Sequence, residues 1–354
     1  MKYAPVKIPT LCRSRHFIRL IESLKRNAWA KYTDIYVGID YPPSDKYRKG
    51  WQEICNYVDN GDFSVFASFN VRKREANYGA RKNSIDLSNW IYEKHDRQIY
   101  MEDDLEVSPN FLEFMDKCLD AFENDPEIVT VSGYSYPIDW LISEGATCMK
   151  QDFNASAWGR GSWKSKTDVY ADYIKSGQML GDVKKVVRTK SYKKMIDASL
   201  REYIPAAMSP KFYQSKMLKS ATDIGLRAYL AVRGKYCISP VISKVRNHGF
   251  DGSGLYCQDI VQINGQTAGS YNYPLQPIDE SVNFEIQLND ERYLEENRQK
   301  LNVFDKRTFA QMQETKRLLW LAENWGVGGS KLYKCSMIPI ELIIRLYKKL
   351  RKKC

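Results

Sequence analysis

The feature that most constrains this chain is an alternation. From Val6 to Val131, short apolar runs take turns with helix-length amphipathic segments. The runs are Val6–Leu11, interrupted by Pro9, then Ile35–Asp40, Phe63–Phe69, Ile99–Met101 and Ile128–Val131. Between them, Phe17, Leu20, Ile21 and Leu24 mark one face of a helix. Pro42-Pro43-Ser44-Asp45 opens a second that runs to about Val58, and Ala80–Lys94 forms a third with Leu87, Trp90 and Ile91 inward. A fourth carries Phe111, Phe114, Met115, Cys118, Leu119 and Phe122 on one side, with Ser108 as a natural N-cap and Pro109 as first helical residue. Strands alternating with helices predict a parallel α/β sheet covered on both faces.

After Ser132 the pattern loosens. Residues 133–183 are rich in Gly, Ser, Trp and Tyr, a helix is expected over Ser220–Val232, and a strand over Lys235–Ser239. The stretch 246–275 reads as loop, and Phe304–Trp325 as helix. A last segment, Ile340–Lys353, sets Ile340, Ile343, Ile344, Tyr347 and Leu350 on one helical face with basic residues opposite. The boundaries expected are 1–132, 133–275 and a C-terminal extension over 276–354.

Charge narrows the function. The net charge is +11, but Lys331–Cys354 holds eight basic residues against Glu341. The body is therefore only mildly basic, which argues against a general nucleic-acid binder. A basic amphipathic tail reads as a peripheral anchor on anionic lipid, or as a solvated helix packed on the body. No run approaches the roughly 18 apolar residues of a membrane span, and the start of the chain has no signal-peptide pattern, so the expected compartment is the cytoplasm. The 8 cysteines form no CxxC pair and are expected to be reduced, mostly buried thiols. Only three histidines, His16, His95 and His248, leave little material for a zinc site. A metal here would take oxygen ligands, which favours Mn²⁺ or Mg²⁺.

Those oxygens have an obvious source. Glu102-Asp103-Asp104 follows the apolar run Ile99-Tyr100-Met101. Three carboxylates where a buried strand surfaces repel one another unless a cation offsets them. In open α/β sheets, ligands bind beyond the carboxyl ends of strands. A capped helix also favours acids at its start, but capping needs fewer than three. Upstream, Arg72, Lys73, Arg74, Arg81 and Lys82 crowd around Asn77-Tyr78-Gly79-Ala80, ending at a helix N-terminus that could take an anion. Downstream, Asp223 opens an apolar helix, as a cap or a catalytic acid–base group. The glycine-punctuated run Arg246–Gly254 contains His248 and reads as a closing or ligand-contacting loop.

Taken in order, these blocks resemble bacterial glycosyltransferases of the GT-A fold with an N-acetylglucosaminyltransferase I-like domain. Pro5–Arg13 with His16 and Glu22-Ser23-Leu24 is similar to the family's first strand and helix, and Ile39-Asp40 to its second-strand acid. Asn77–Ser84 resembles its N-x-G-x-R block, and Met101–Asp104 its EDD form of the metal motif. Val131–Tyr134, Ala157–Trp163 around Trp158, Ser239-Pro240 and Asn247–Phe250 follow in the family's order, while Cys12, Ala157 and Thr222 depart from its pattern. The likeness spans roughly residues 5–255.

The resemblance implies a Rossmann-like, mostly parallel sheet sandwiched by helices, with a nucleotide-sugar-binding half in 1–132 and an acceptor and catalytic half in 133–275. It implies Arg13 and Asp40 at the nucleotide base and ribose, Asp103 on the ribose side, Asp104 on the metal, Glu102 at the donor sugar and Asp223 as the base. Arg81 and Lys82 would meet the diphosphate. His248 and Trp158 are further candidates. The expected activity is inverting transfer from a nucleotide-sugar, UDP-sugars favoured, to a glycan or lipid-linked saccharide in bacterial polysaccharide assembly. The alternatives are a sugar-1-phosphate nucleotidyltransferase, against which the glycine-free Pro9–Arg13 counts, and a non-catalytic carbohydrate-binding protein.

Overall fold

The computed structural model describes residues 1–152, 155–187, 222–251, 253–254 and 277–304. Ten strands are found among them: β1 (Val6–Thr10), β2 (Asp34–Ile39), β3 (Ser68–Lys73), β4 (Arg97–Tyr100), β5 (Leu105–Val107), β6 (Ile128–Ser132), β7 (Cys148–Gln151), β8 (Arg160–Trp163), β9 (Tyr236–Pro240) and β10 (Val245–Asn247). The helices are α1 (Ser14–Lys25), α2 (Arg48–Asn60), α3 (Gly79–Ile91), α4 (Phe111–Ala121), α5 (Lys164–Lys175), α6 (Gln178–Val187), α7 (Thr222–Arg233) and α8 (Leu294–Phe304).

Eight strands form one sheet in the order β3-β2-β1-β4-β8-β6-β9-β7, and β5 pairs with β10 in a separate ribbon. The first four strands are parallel; β8 runs antiparallel to both β4 and β6, and β7 antiparallel to β9. The mostly parallel α/β sheet expected from the alternation is the one observed. Helices cover both faces. On one face Lys7 reaches Ser88 of α3 at 2.7 Å. Lys7, Tyr100 and Arg160 are ladder partners, so Gly161, next along β8, faces the other way, where it meets Met115 and Leu119 of α4. Ile8, Ile35, Ile99, Val131, Phe17 and Phe114 are fully buried between the layers. Each such side chain stabilises the fold by roughly 1.5–3 kcal/mol.

Three expectations change. The third strand begins at Ser68, because Phe63 and Phe66 belong to a turn whose rings gather instead of alternating: Phe63 stacks on Phe69 at 3.8 Å. The acidic triplet does not lead directly into a helix, since β5 intervenes. The helix after it starts at Phe111 with Asn110 at its N-cap, not with Ser108 and Pro109. The Ser108 hydroxyl instead donates to Asn110 Oδ1 at 3.0 Å, and Asn110 Nδ2 reaches on to Asp279. Residues 277–304 return to the body, with Phe284 edge-on to Phe114 at 5.0 Å. The expected helical segments past Phe304, including the basic tail, lie outside the described residues.

Candidate active site

The parallel pairing of β1 with β4 sets the loop after Thr10 beside the loop after Tyr100. Arg13 stands immediately before α1, and its guanidinium forks onto both aspartates of the triplet. Nη1 donates to Asp104 Oδ2 at 2.7 Å, and Nη2 pairs with Asp103 Oδ1. Thr10 Oγ1 donates to the second Asp103 oxygen at 2.7 Å. Asp103 is therefore bonded at both oxygens. Asp104 is not: its Oδ1 is buried with no hydrogen-bond partner. Burial pushes the Asp103 carboxyl above its ordinary pKa, with Arg13 pulling the other way. Burial likewise works against the charge on Arg13, but the two aspartates overrule it and hold the guanidinium above its usual range. Glu102 is half-buried, and after burial it is the main influence raising the Tyr100 hydroxyl.

The β5–β10 ribbon carries the run Arg246–Gly254 to the same place. The His248 N–H donates to the Asp104 carbonyl at 2.8 Å, while its imidazole turns away to Glu106 Oε2 at 2.8 Å. Burial lowers the His248 pKa, and Glu106 opposes the shift. Gly249 lies flat on the acid: a Cβ there would stand 2.1 Å from Asp104 Oδ2, so this approach requires glycine. Phe250 meets the half-buried Trp158 ring at 6.2 Å, and Trp158 meets Tyr134 at 4.7 Å. Asp251 pairs with His16 of α1 at 2.9 Å.

Asp40 is placed beside this cluster but committed elsewhere. Its N–H bonds the Thr10 carbonyl, whereas its carboxylate accepts from the N–H groups of Tyr41, Tyr78 and Gly79 at 2.9, 2.7 and 2.8 Å. The Asn77 amide adds a longer contact at 3.3 Å. Gly79, at φ +73°, takes the left-handed turn that aims these groups inward. The anion site expected at the start of α3 is thus filled by the chain's own carboxylate. Arg81 and Lys82 sit exposed in the first turn of α3, Lys82 over the Tyr78 ring at 3.8 Å. Arg72 and Arg74 pair with Asp86 instead of standing open.

Arg13, Asp103, Asp104 and the backbone of His248 thus come together, and Trp158 joins through Phe250. Asp223 is the second residue of α7, and its side chain lies outside the described residues. Sequence reasoning missed Thr10 and Gly249 as parts of the site. Thr10 lay within the Pro9–Arg13 block, but its role needs the β1–β4 pairing; that of Gly249 is steric and leaves no chemical signal.

A divalent cation fits this donor set. Among the described residues no three His, Cys, Asp or Glu side chains converge as a complete cage. Mn²⁺ and Mg²⁺ need no such cage, since they take one or two carboxylates and fill the remainder with water and substrate phosphate. The free Asp104 oxygen would be a ligand position of that kind.

No protein-family model matches the chain, and no curated protein does. Solved structures superpose weakly. The mannosyltransferase PcManGT from Pyrobaculum calidifontis, in complex with GDP-Man and Mn²⁺, is 9% identical at a TM-score of 0.38 over 91% of this chain and 87% of that one. Mouse xyloside xylosyltransferase 1 in its apo form is 11% identical at 0.32, over 66% of this chain and 82% of that one. S. aureus TarS 1–349 is 12% identical at 0.33 and covers 46% of this chain, which spans 47% of that structure.

Proposed function

We propose that this chain is a glycosyltransferase that moves a sugar from a nucleotide-sugar, UDP-sugars favoured, to a hydroxyl of a glycan or lipid-linked saccharide, with inversion at the anomeric carbon. Mn²⁺ or Mg²⁺ would sit on Asp104. The observation that carries this reading is the Asp104 carboxylate: buried beyond a strand end, one oxygen on Arg13 and the other without a donor. A buried carboxylate oxygen left unpaired is costly unless a ligand completes it.

The bound metal would offset the negative charge of the departing diphosphate. The chain's own residues do the rest. Arg13 presents a two-pronged donor suited to carboxylate or phosphate. Arg81 and Lys82 place positive charge at the mouth, held there because Asp40 fixes the start of α3. Glu102 faces the donor sugar, and Asp103 the ribose side of the nucleotide, with Asp40 next to it. Trp158 and the backbone of His248 line the acceptor side. Asp223 takes the proton of the attacking hydroxyl, so a single base suffices for one direct displacement. The basic stretch 331–354 would hold the enzyme on an anionic membrane surface; no described helix is long and apolar enough to cross one.

A panel of UDP-, GDP-, TDP- and CMP-sugars with Mn²⁺ and saccharide acceptors tests the proposal. Release of free nucleotide together with a glycosylated acceptor is the expected result. Formation of nucleoside triphosphate and sugar 1-phosphate from a nucleotide-sugar and added pyrophosphate would point to a nucleotidyltransferase, and binding without turnover to a carbohydrate-binding protein.

A further inference from the structure

We propose that Arg13 is a resident counter-cation which a divalent metal must displace from Asp104, and that this exchange couples metal binding to nucleotide binding. The inference rests on the reading of Asp104 as metal ligand. The geometry of the pair makes an exchange necessary. The Arg13 Nη1 contact, at 2.7 Å, places a full positive charge against the same carboxylate a metal would use. A divalent ion on the free Oδ1 would stand beside that guanidinium, and like charges so close in a partly desolvated site repel strongly.

Which partner yields follows from the packing. Asp104 cannot retreat past the backbone of Gly249, which lies against its Oδ2, and its side chain is only 6% exposed. Arg13 is a long side chain, 22% exposed and anchored by a second arm on Asp103. The arm that moves is therefore Nη1. Once off Asp104 it needs a new acceptor, because an unsatisfied, partly buried donor is costly. A diphosphate oxygen is a suitable one, since a guanidinium binds phosphate as it binds carboxylate. The nucleotide therefore makes it easier for the metal to enter, and by linkage the metal makes it easier for the nucleotide. Metal alone binds weakly and metal with nucleotide binds well, while Asp103 keeps its bonds to Nη2 and Thr10 throughout.

The test titrates Mn²⁺ into the full-length protein, alone and with UDP or GDP, following the free-ion signal by electron paramagnetic resonance. Arg13→Gln is expected to bind Mn²⁺ alone about tenfold more tightly than the wild type, and the enhancement of Mn²⁺ affinity by nucleotide should shrink about tenfold. Arg13→Lys, which keeps the charge without the fork, should fall between the two and serves if the glutamine variant does not fold. Mn²⁺ affinity that is unchanged or weaker in both variants, or no binding of Mn²⁺ alone to any of the proteins, overturns the exchange. Asp104→Asn separates the two ideas. Binding lost in Asp104→Asn upholds the metal ligand whatever the Arg13 variants do; binding that survives it removes both the ligand and the exchange.

Discussion

Two strand ends that flank β1 in this sheet treat a buried aspartate in opposite ways. At the end of β2, the Asp40 carboxylate is surrounded by donors from Tyr41, Asn77, Tyr78 and Gly79. At the end of β4, Asp104 has one oxygen on the Arg13 guanidinium and one without a hydrogen-bond partner. Both residues are almost fully buried, so burial does not distinguish them. What distinguishes them is saturation. A carboxylate whose lone pairs are met by backbone is a fixed part of the fold, whereas one left half-satisfied is poised for a ligand.

The largest expected effect breaks the β4 end. Asp104→Ala should lower turnover with a nucleotide-sugar by on the order of a thousandfold, several kcal/mol of lost charge stabilisation, while the urea midpoint stays near wild type. Undiminished turnover would remove Asp104 from the chemistry. The converse belongs to Asp40. Asp40→Ala should lose about 3 kcal/mol in urea unfolding, because it uncaps α3 and strands buried N–H groups. A stability loss at Asp104 as large as that at Asp40 would erase the distinction.

A third aspartate sharpens it. Asp116 on α4 accepts from the Ala4 N–H at 2.8 Å, and its Oδ2 is buried without a partner, like the free oxygen of Asp104. No guanidinium forks onto it. Burial pushes its pKa up to about 7, against the pull of the Ala4 N–H and Arg97, so in the fold it keeps its proton below about pH 7. The unfolded chain releases that proton near pH 4. Stability from this group is therefore full below about pH 4, falls as pH rises, and is flat above about 7. Replacing Asp116 by Asn should flatten this fall, about 4 kcal/mol over roughly three pH units, in denaturation curves taken from pH 4 to 8. A variant with the wild-type slope would place the titration elsewhere.

The smallest effect tests the buttress. Gly249→Ala forces a Cβ onto Asp104 Oδ2, so either the loop or the carboxylate must shift. The expected loss is about tenfold in Mn²⁺–nucleotide affinity with folding retained. Isothermal titration reads it directly, and an unchanged constant would mean the loop gives way freely.

Much of this was legible in the chain, and the omissions have physical reasons. Strands β1, β2, β4, β6 and β9 were readable as short apolar runs, and α3 by its period. Strands β7 and β8 were not: Arg160-Gly161-Ser162-Trp163 buries alternate residues around an arginine and a serine, and no apolar run results. β5 and β10, three residues each, exist because they pair with each other and not through local preference. The acidic triplet stood out as chemistry, and Arg13 entered only through the family resemblance. Their contact did not stand out, because it depends on β1 and β4 lying next to each other although two strands separate them in sequence. The saturation of Asp40 was also hidden, since the carboxylate meets backbone N–H groups that every residue but proline carries.

The β5–β10 ribbon has a consequence for how the protein comes into being. It joins Leu105–Val107 to Val245–Asn247, so the backbone that backs Asp104 arrives only after most of the chain has emerged. Closing so long a loop is slow, because its entropy must be overcome before the pairing gives anything in return. The first four strands, by contrast, are connected over short distances and can associate early. During synthesis the acidic loop would stand beside a formed half-sheet, already held by Arg13, well before His248 and Gly249 close over it.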